Sequence, residues 1–373
     1  MTKPYDYLIV GAGITGAVFA HEMTERGKKC LVIEKREHIG GNIYDVEQDG
    51  ILVHRYGAHI FHTSDLRIWD YVQQFSDFNH FINCPVANYC GEIYNLPFNM
   101  NTFSKLWNIV TPEQARTVID SQRVSYDHEP RTVEEQGLSL AGRDIYEKLI
   151  RGYTEKQWGR PCDRLPASIL KRVPFRFTYD NNYFNDPYQG IPVGGYTRMI
   201  EKMLQGCEVR CGVDYLKERT AWDELADRVF FTGMIDAFFG FSEGHLQYRT
   251  LRFEDERLDV PNYQGVAVMN FTDAGTPYTR VIEHKHFQLG QQAHTVITRE
   301  YPLEWKPGME PYYPINDQEN MALLQKYREK TRTLPRVIFC GRLAEYTYYD
   351  MDKAVAAALQ AAEREGTLVQ ARR

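Results

Sequence analysis

The chain has no stretch approaching the ~20 consecutive apolar residues that a membrane-spanning helix requires. It also has no long run of charge of one sign. The 44 basic and 50 acidic residues are interspersed and leave a formal net charge of -6. That excludes the concentrated basic footprint of sequence-independent nucleic-acid binding, while leaving room for a local basic pocket around a small anion. Cysteine is sparse and scattered, at positions 30, 84, 90, 162, 207, 211 and 340. Only Cys207 and Cys211 are close, and they lack the paired spacing with histidine of a zinc site, so neither a disulfide framework nor a structural metal is expected. There is no internal repeat, and no signal-peptide pattern precedes the first strand-like segment, which leads to the expectation of a cytoplasmic protein.

Aromatic residues are plentiful at 13%, with 25 Tyr and 19 Phe. A tyrosine joins a large apolar face to a hydroxyl, which suits sites for rings or polyhydroxylated ligands, although core filling is the commoner duty of any single one. A length of 373 residues exceeds one ordinary core, and at about 150 residues per domain implies two to three domains.

Tyr7-Leu8-Ile9-Val10 reads as a buried parallel strand, followed by Gly11-Ala12-Gly13-Ile14-Thr15-Gly16 and the opening of a helix. Gly27 ends that helix, and Cys30-Leu31-Val32-Ile33 is a second strand finishing at Glu34. Within this βαβ unit Gly11 permits the tight turn, Gly13 lets the backbone approach a pyrophosphate, and Gly16 allows helix to pack on strand. Phosphate charge would rest against the positive helix end, and Glu34 would accept from the adenosine ribose hydroxyls. Glu34 opens an E-x5-G-G run through Lys35 to Gly40, Gly41 and Asn42, an extension resembling FAD enzymes of the glutathione-reductase and amine-oxidase type. Gly341-Arg342 after a late strand fits their second flavin contact, with Arg342 against the pyrophosphate. No second glycine fingerprint provides for NAD(P)H, so the enzyme is either an oxidase or uses its flavin without net electron transfer.

Farther along, apolar residues at helical spacing in Phe103–Val110 and Gly142–Ile150, with a helix start at Thr111-Pro112, predict an inserted helical domain. Alternating β-rich segments at Tyr248–Phe253, Gly265–Phe271 and Thr295–Glu300 predict an antiparallel sheet. The apolar runs Arg228–Gly233 and Arg336–Gly341 rejoin the first domain, and a helix from Lys353 to about Glu365 follows. The predicted fold class is α/β: a discontinuous Rossmann-like FAD-binding domain (1–75, 190–240, 335–373), an inserted helical bundle (99–180), and an antiparallel sheet domain (76–98, 241–334).

Two histidines stand three apart in Gly57-Ala58-His59-Ile60-Phe61-His62-Thr63. Without a carboxylate or cysteine partner they suit the face of a flavin better than a metal. Further blocks are Thr154-Glu155-Lys156-Gln157-Trp158-Gly159, Lys171-Arg172-Val173-Pro174, Asp180-Asn181-Asn182-Tyr183-Phe184 and Gln189 to Thr197. Pro277-Tyr278-Thr279-Arg280, Glu310 to Ile315 and Tyr348-Tyr349-Asp350-Met351-Asp352 complete the set. Taken together and in order over nearly the whole chain, these blocks resemble the UDP-galactopyranose mutase family. Ala58 stands where proline is usual, and Arg160-Pro161-Cys162 falls in a variable loop.

The resemblance implies interconversion of UDP-galactopyranose and UDP-galactofuranose by reduced FAD, through a covalent adduct of the sugar with flavin N5 and with no net oxidation. It implies Arg172 and Arg280 on the diphosphate, Tyr183, Tyr313 and Tyr348 as phosphate-binding hydroxyls, and Trp158 beside the uracil or sugar. Asp350 would lie near sugar and flavin, with His59 and His62 at the flavin face and Arg249 close by. Cofactor contacts carried over are Gly11, Gly13, Gly16, Glu34, Lys35, Gly41, Asn42, His59, Arg249, Arg342 and Met351. A lid near Arg172 to Tyr183 and a homodimer are also implied. The rival readings are a mutase that also takes the N-acetylated sugar, an FAD-dependent amine or polyol oxidase, and a flavin-binding sensor.

Overall fold

A computed structural model describes residues 3–170 and 175–371. Strand β1 (Tyr5–Val10), helix α1 (Ile14–Glu25) and strand β2 (Cys30–Ile33) form the N-terminal unit. Together with Glu208–Arg210, Ala226–Phe231 and Val337–Phe339, the strands make a five-stranded sheet. Every pairing in it is parallel. Helices cover both faces of such a sheet, so its central strands are largely apolar; all four residues of β2 are buried, while the edge strand Glu208–Arg210 is polar at both ends. On one face Phe19 of α1 stacks on Phe230 at 3.9 Å. The C-terminal helix Met351–Ala371 packs beside α1, starting two residues earlier than its apolar pattern suggested.

The second sheet has seven strands: Tyr313–Pro314, Tyr248–Leu258, Thr295–Glu304, Arg280–Glu283, Val268–Phe271, Val86–Tyr89 and Glu92–Asn95 in spatial order. It is antiparallel except where Val268–Phe271 runs parallel to Val86–Tyr89. That pair joins segments about 180 residues apart in sequence, so no hairpin dictates its direction. Its register sets the site described below. Asn270, Arg280 and Glu300 stand directly opposite one another on three neighbouring strands.

Residues 100–158 form the helical layer. Asn99 and Thr111 close capping boxes, and Pro112 occupies the first turn, where its missing N–H costs nothing. The segment expected to be one regular helix over Gly142–Ile150 instead contains a π-helical turn, Tyr146–Arg151, leading into the helix Gly152–Trp158. Gly152 allows that helix to lie against the sheet, since a Cβ there would come within 2.3 Å of the Thr272 carbonyl oxygen. Lys156 pins the contact, its Nζ donating to the carbonyls of Phe271, Thr276 and Tyr278 at 2.8–3.1 Å.

Candidate active site

The glycine turn borders a cavity of about 560 Å³. Gly11 has φ +108° and packs so closely on Thr232 that a Cβ would lie 2.0 Å from its Oγ1. A Cβ on Gly16 would lie 2.0 Å from the Gly11 carbonyl oxygen. The E-x5-G-G segment folds back onto this turn: Gly40 N–H donates to Ala12 O at 2.9 Å, and a Cβ on Gly41 would come within 2.9 Å of Gly13 Cα. Helix α1 has no side-chain cap and no acidic residue in its first turn. Its opening N–H groups are therefore left for an anion. Glu34 is buried, accepting from Ala12 N–H at 2.8 Å and Arg36 N–H at 2.9 Å, with lone pairs remaining for ligand hydroxyls.

Gly11, Gly13, Gly16, Glu34, Lys35, Gly41, Asn42, His59, Arg342 and Met351 all line this cavity. Arg342 donates to the carbonyls of Tyr349 (2.7 Å) and Tyr312 (3.3 Å) and lies over the Tyr348 ring. His59 is kept neutral by burial, which takes its pKa down to about 3, with His54, Arg342 and Arg280 acting in the same direction.

A second group of side chains adjoins the first at His59 and Arg342. Arg280 Nε donates to Asn270 Oδ1 at 3.2 Å, Nη2 donates to the Tyr153 hydroxyl at 3.1 Å, and Nη1 lies 3.6 Å from Glu300 Oε2. Burial opposes its charge, but Glu300 and the surrounding phenols outweigh that and hold the guanidinium protonated. Tyr313 stacks on Tyr348 at 6.0 Å. Burial raises the phenols of Tyr183, Tyr313 and Tyr348, the last to about 12 with Asp350 beside it. Yet Tyr183 and Tyr348 remain 39% and 46% exposed. Tyr183 and Tyr348 are thus desolvated at the phenol yet still accessible beside Arg280. The Arg280 charge reaches all three tyrosines and His59, so these groups share one field.

Two residues take other positions, and one lies outside the described residues. Arg249 does not line the cavity: it is buried behind Gly159, its Nε donating to the Gln157 carbonyl at 3.0 Å. It shares a face of the sheet with Glu300 and Arg280 but lies near the end of its strand, four residues from Phe253 opposite Glu300. His62 is also off the cavity wall, bonded to Asp186 at 2.6 Å and stacked on Phe184 at 3.7 Å, where it steadies the segment carrying Tyr183. Trp158 ends its helix against the helical core. Arg172 lies outside the described residues. Sequence reasoning passed over Tyr153, Asn270, Glu300 and Arg36. Arg36 stood two residues beyond Glu34; for Asn270 and Glu300 the only signal was cross-strand alternation, which required the register, and Tyr153, on the helix Gly152–Trp158, had none. Among the described residues no group of His, Cys, Asp or Glu is arranged to hold a metal, and no helix is long and apolar enough to cross a membrane.

A Rossmann-like sheet, an open phosphate cradle and an acid at the end of β2 define a dinucleotide-binding flavoprotein with a second, cationic cleft. Residues 148–348 match the family model described as UDP-galactopyranose mutase, and residues 9–75 match one for an NAD(P)-binding Rossmann-like domain. A probable UDP-galactopyranose mutase of Klebsiella pneumoniae is 41% identical over 362 residues, covering 95% of this chain and 93% of its own. A dTDP-fucopyranose mutase of Escherichia coli is 38% identical, covering 95% and 97%. The fold matches a crystal structure of reduced UDP-galactopyranose mutase with a TM-score of 0.76 at 16% identity, over 99% of this chain and 94% of that one. The chain belongs to the UDP-galactopyranose mutase family, whose members are isomerases, and its cofactor is FAD.

Proposed function

We propose that this enzyme interconverts UDP-galactopyranose and UDP-galactofuranose without net oxidation. The observation that carries the reading is the meeting of the two sites, since Arg280 with Tyr183, Tyr313 and Tyr348 borders the cofactor cavity through His59 and Arg342. When bound and reduced, the flavin supplies a nucleophilic ring nitrogen to the anomeric carbon. The chain's own residues do the rest. Arg280, oriented by Asn270 and Glu300, grips the diphosphate and stabilises its negative charge as it departs. By the family resemblance Arg172 is assigned to the same diphosphate. The three tyrosine hydroxyls hold phosphate oxygens by donation, which their raised pKa values keep available at neutral pH. Asp350 accepts from sugar hydroxyls at the flavin side, and Trp158 covers the nucleoside side. The work is done in the cytoplasm, by a homodimer.

The test is anaerobic incubation of chemically reduced enzyme with UDP-galactofuranose. Conversion to UDP-galactopyranose with no electrons consumed is expected, and recovery of unchanged sugar nucleotide would refute the proposal. Loss of UDP binding in Arg172→Ala and Arg280→Ala separates an enzyme from a flavin sensor. A second reading rests on the comparable identity to the dTDP-fucopyranose mutase. It is decided by competing UDP-galactofuranose against dTDP-fucofuranose in the same assay.

A further inference from the structure

The helix Gly152–Trp158 owes its orientation to the turn before it. In a regular helix Tyr153 would stand about two turns beyond Tyr146 and share its face, and Tyr146 is buried in the helical core. The π-helical turn Tyr146–Arg151 takes up one extra residue, which sets every later side chain back by about 100°. Tyr153 is thereby carried off that core and toward the paired strands Val268–Phe271 and Arg280–Glu283, where its hydroxyl meets Arg280 Nη2 at 3.1 Å. A guanidinium only donates, so the Tyr153 oxygen accepts. Gly152, Tyr153 and Lys156 fall within about 100° of one another around the helix, and all three touch this hairpin. Lys156 Nζ has three N–H donors and three carbonyls to receive them: Phe271 at 2.8 Å, Thr276 at 3.0 Å and Tyr278 at 3.1 Å. These oxygens come from both limbs of the loop between the strands, and Tyr278 is two residues short of Arg280. Asp273 holds the loop closed, its Oδ1 accepting from the Gly275 and Thr276 N–H groups at 2.9 and 2.8 Å and its Oδ2 from the Thr276 hydroxyl at 2.9 Å.

We propose that Lys156 is a positioning residue for the diphosphate site: by gathering both limbs of the hairpin loop onto the helix, it fixes the Tyr153–Arg280 contact and with it the direction of the Arg280 guanidinium. The inference rests on the reading of Arg280 as the diphosphate's partner. Asn270 and Glu300 hold Arg280 from the sheet, and Tyr153 holds it from the helical layer. A side chain tied to two layers keeps one direction only while the layers keep one spacing. Gly152 permits that spacing, since a Cβ there would lie 2.3 Å from the Thr272 carbonyl oxygen, and Lys156 enforces it.

The experiment is a double-mutant cycle on UDP affinity, measured by calorimetry with the FAD-loaded enzyme. Lys156→Met keeps the length of the side chain and removes its donors, and is expected to weaken UDP binding about tenfold, as for a lost hydrogen bond to a charged group. Tyr153→Phe breaks the same contact from its other side and is expected to weaken binding in the same direction. Because both act through one contact, adding Lys156→Met to Tyr153→Phe should cost less than about a further twofold. Should Lys156→Met fail to retain flavin, Asp273→Ala loosens the same loop from within. It is expected to weaken UDP binding, again with little further loss in the Tyr153→Phe background. Multiplying losses in these pairs would overturn the proposal, because they would mark an effect that does not pass through Tyr153. Wild-type UDP affinity in Lys156→Met with only a lowered melting temperature would also overturn it, leaving a structural pin. Arg280→Ala separates the two levels. Affinity lost there but kept in Lys156→Met defeats this inference alone, whereas affinity kept in both defeats the reading of Arg280 on which it rests.

Discussion

Arg280 shows what a single residue contributes here. Its guanidinium has five donors in a rigid fork; Nε and one Nη2 hydrogen go to Asn270 and Tyr153, and Nη1 is ion-paired with Glu300. Arg280→Ala is expected to reduce kcat/KM and UDP affinity by about 10²–10³-fold, the usual effect of losing one preorganised donor to a developing anion. Arg280→Lys should recover little, because a point charge cannot keep both cross-strand partners and the phosphate. Steady-state kinetics and calorimetry with UDP measure both, and the flavin spectrum should stay unchanged. Gly11 is the counterpart on the cofactor side. At φ +108° and with a Cβ 2.0 Å from Thr232 Oγ1, Gly11→Ala must move the turn. The purified variant should lack the visible flavin bands, and wild-type absorbance in it would count against this account of the turn.

At the scale of elements, the site depends on strand ends being tied down. Glu283 closes one strand of the seven-stranded sheet, fully buried, accepting from the N–H groups of Tyr263 and Gln264, each at 2.9 Å. Burial alone would raise its carboxyl, but His286 and those backbone donors outweigh it and leave the pKa at about 2. A carboxyl depressed below its unfolded value of about 4.3 contributes stability that is fully present above that value and lost as the pH falls toward 2. Thermal melts between pH 5 and 2 should therefore show a steeper loss in the wild type than in Glu283→Gln, which should be the less stable of the two at pH 7. Parallel curves would argue against the ionised Glu283. The same tie explains why the apolar pattern beginning at Gly265 becomes a strand only at Val268: Gly265 sits at φ +77° in a bend clamped by Glu283.

For the whole molecule, the cavity lies between the parallel sheet and the loop 305–311, so the flavin is a structural partner of both. A ligand that binds only the folded state stabilises it by RT ln(1 + [L]/Kd), about 2.7 kcal/mol at a hundredfold excess over Kd. Stripping FAD should lower the melting temperature by several degrees, and adding FAD back should restore it. UDP should add a further increment only in the holoprotein if the two sites meet as described.

The sequence by itself determined the cofactor half. Strand, glycine turn, helix, strand and Glu34 are contiguous within about thirty residues, and Gly11 and Gly16 sit where a Cβ would clash. It also identified Arg280, Tyr183, Tyr313, Tyr348 and Asp350, through a resemblance rather than through any local pattern. Only the tertiary structure decided which charged residues face the cleft. Arg249 and Arg280 look alike in sequence, both on β-rich segments, yet one is buried behind Gly159 while the other meets the tyrosines. They share a face of the sheet, since Arg280, Glu300 and Phe253 stand opposite one another and Arg249 is four residues from Phe253, so what separates them is their place along the strands. Which residues meet along those strands is settled by pairing between segments far apart in the chain, and no local pattern carries it.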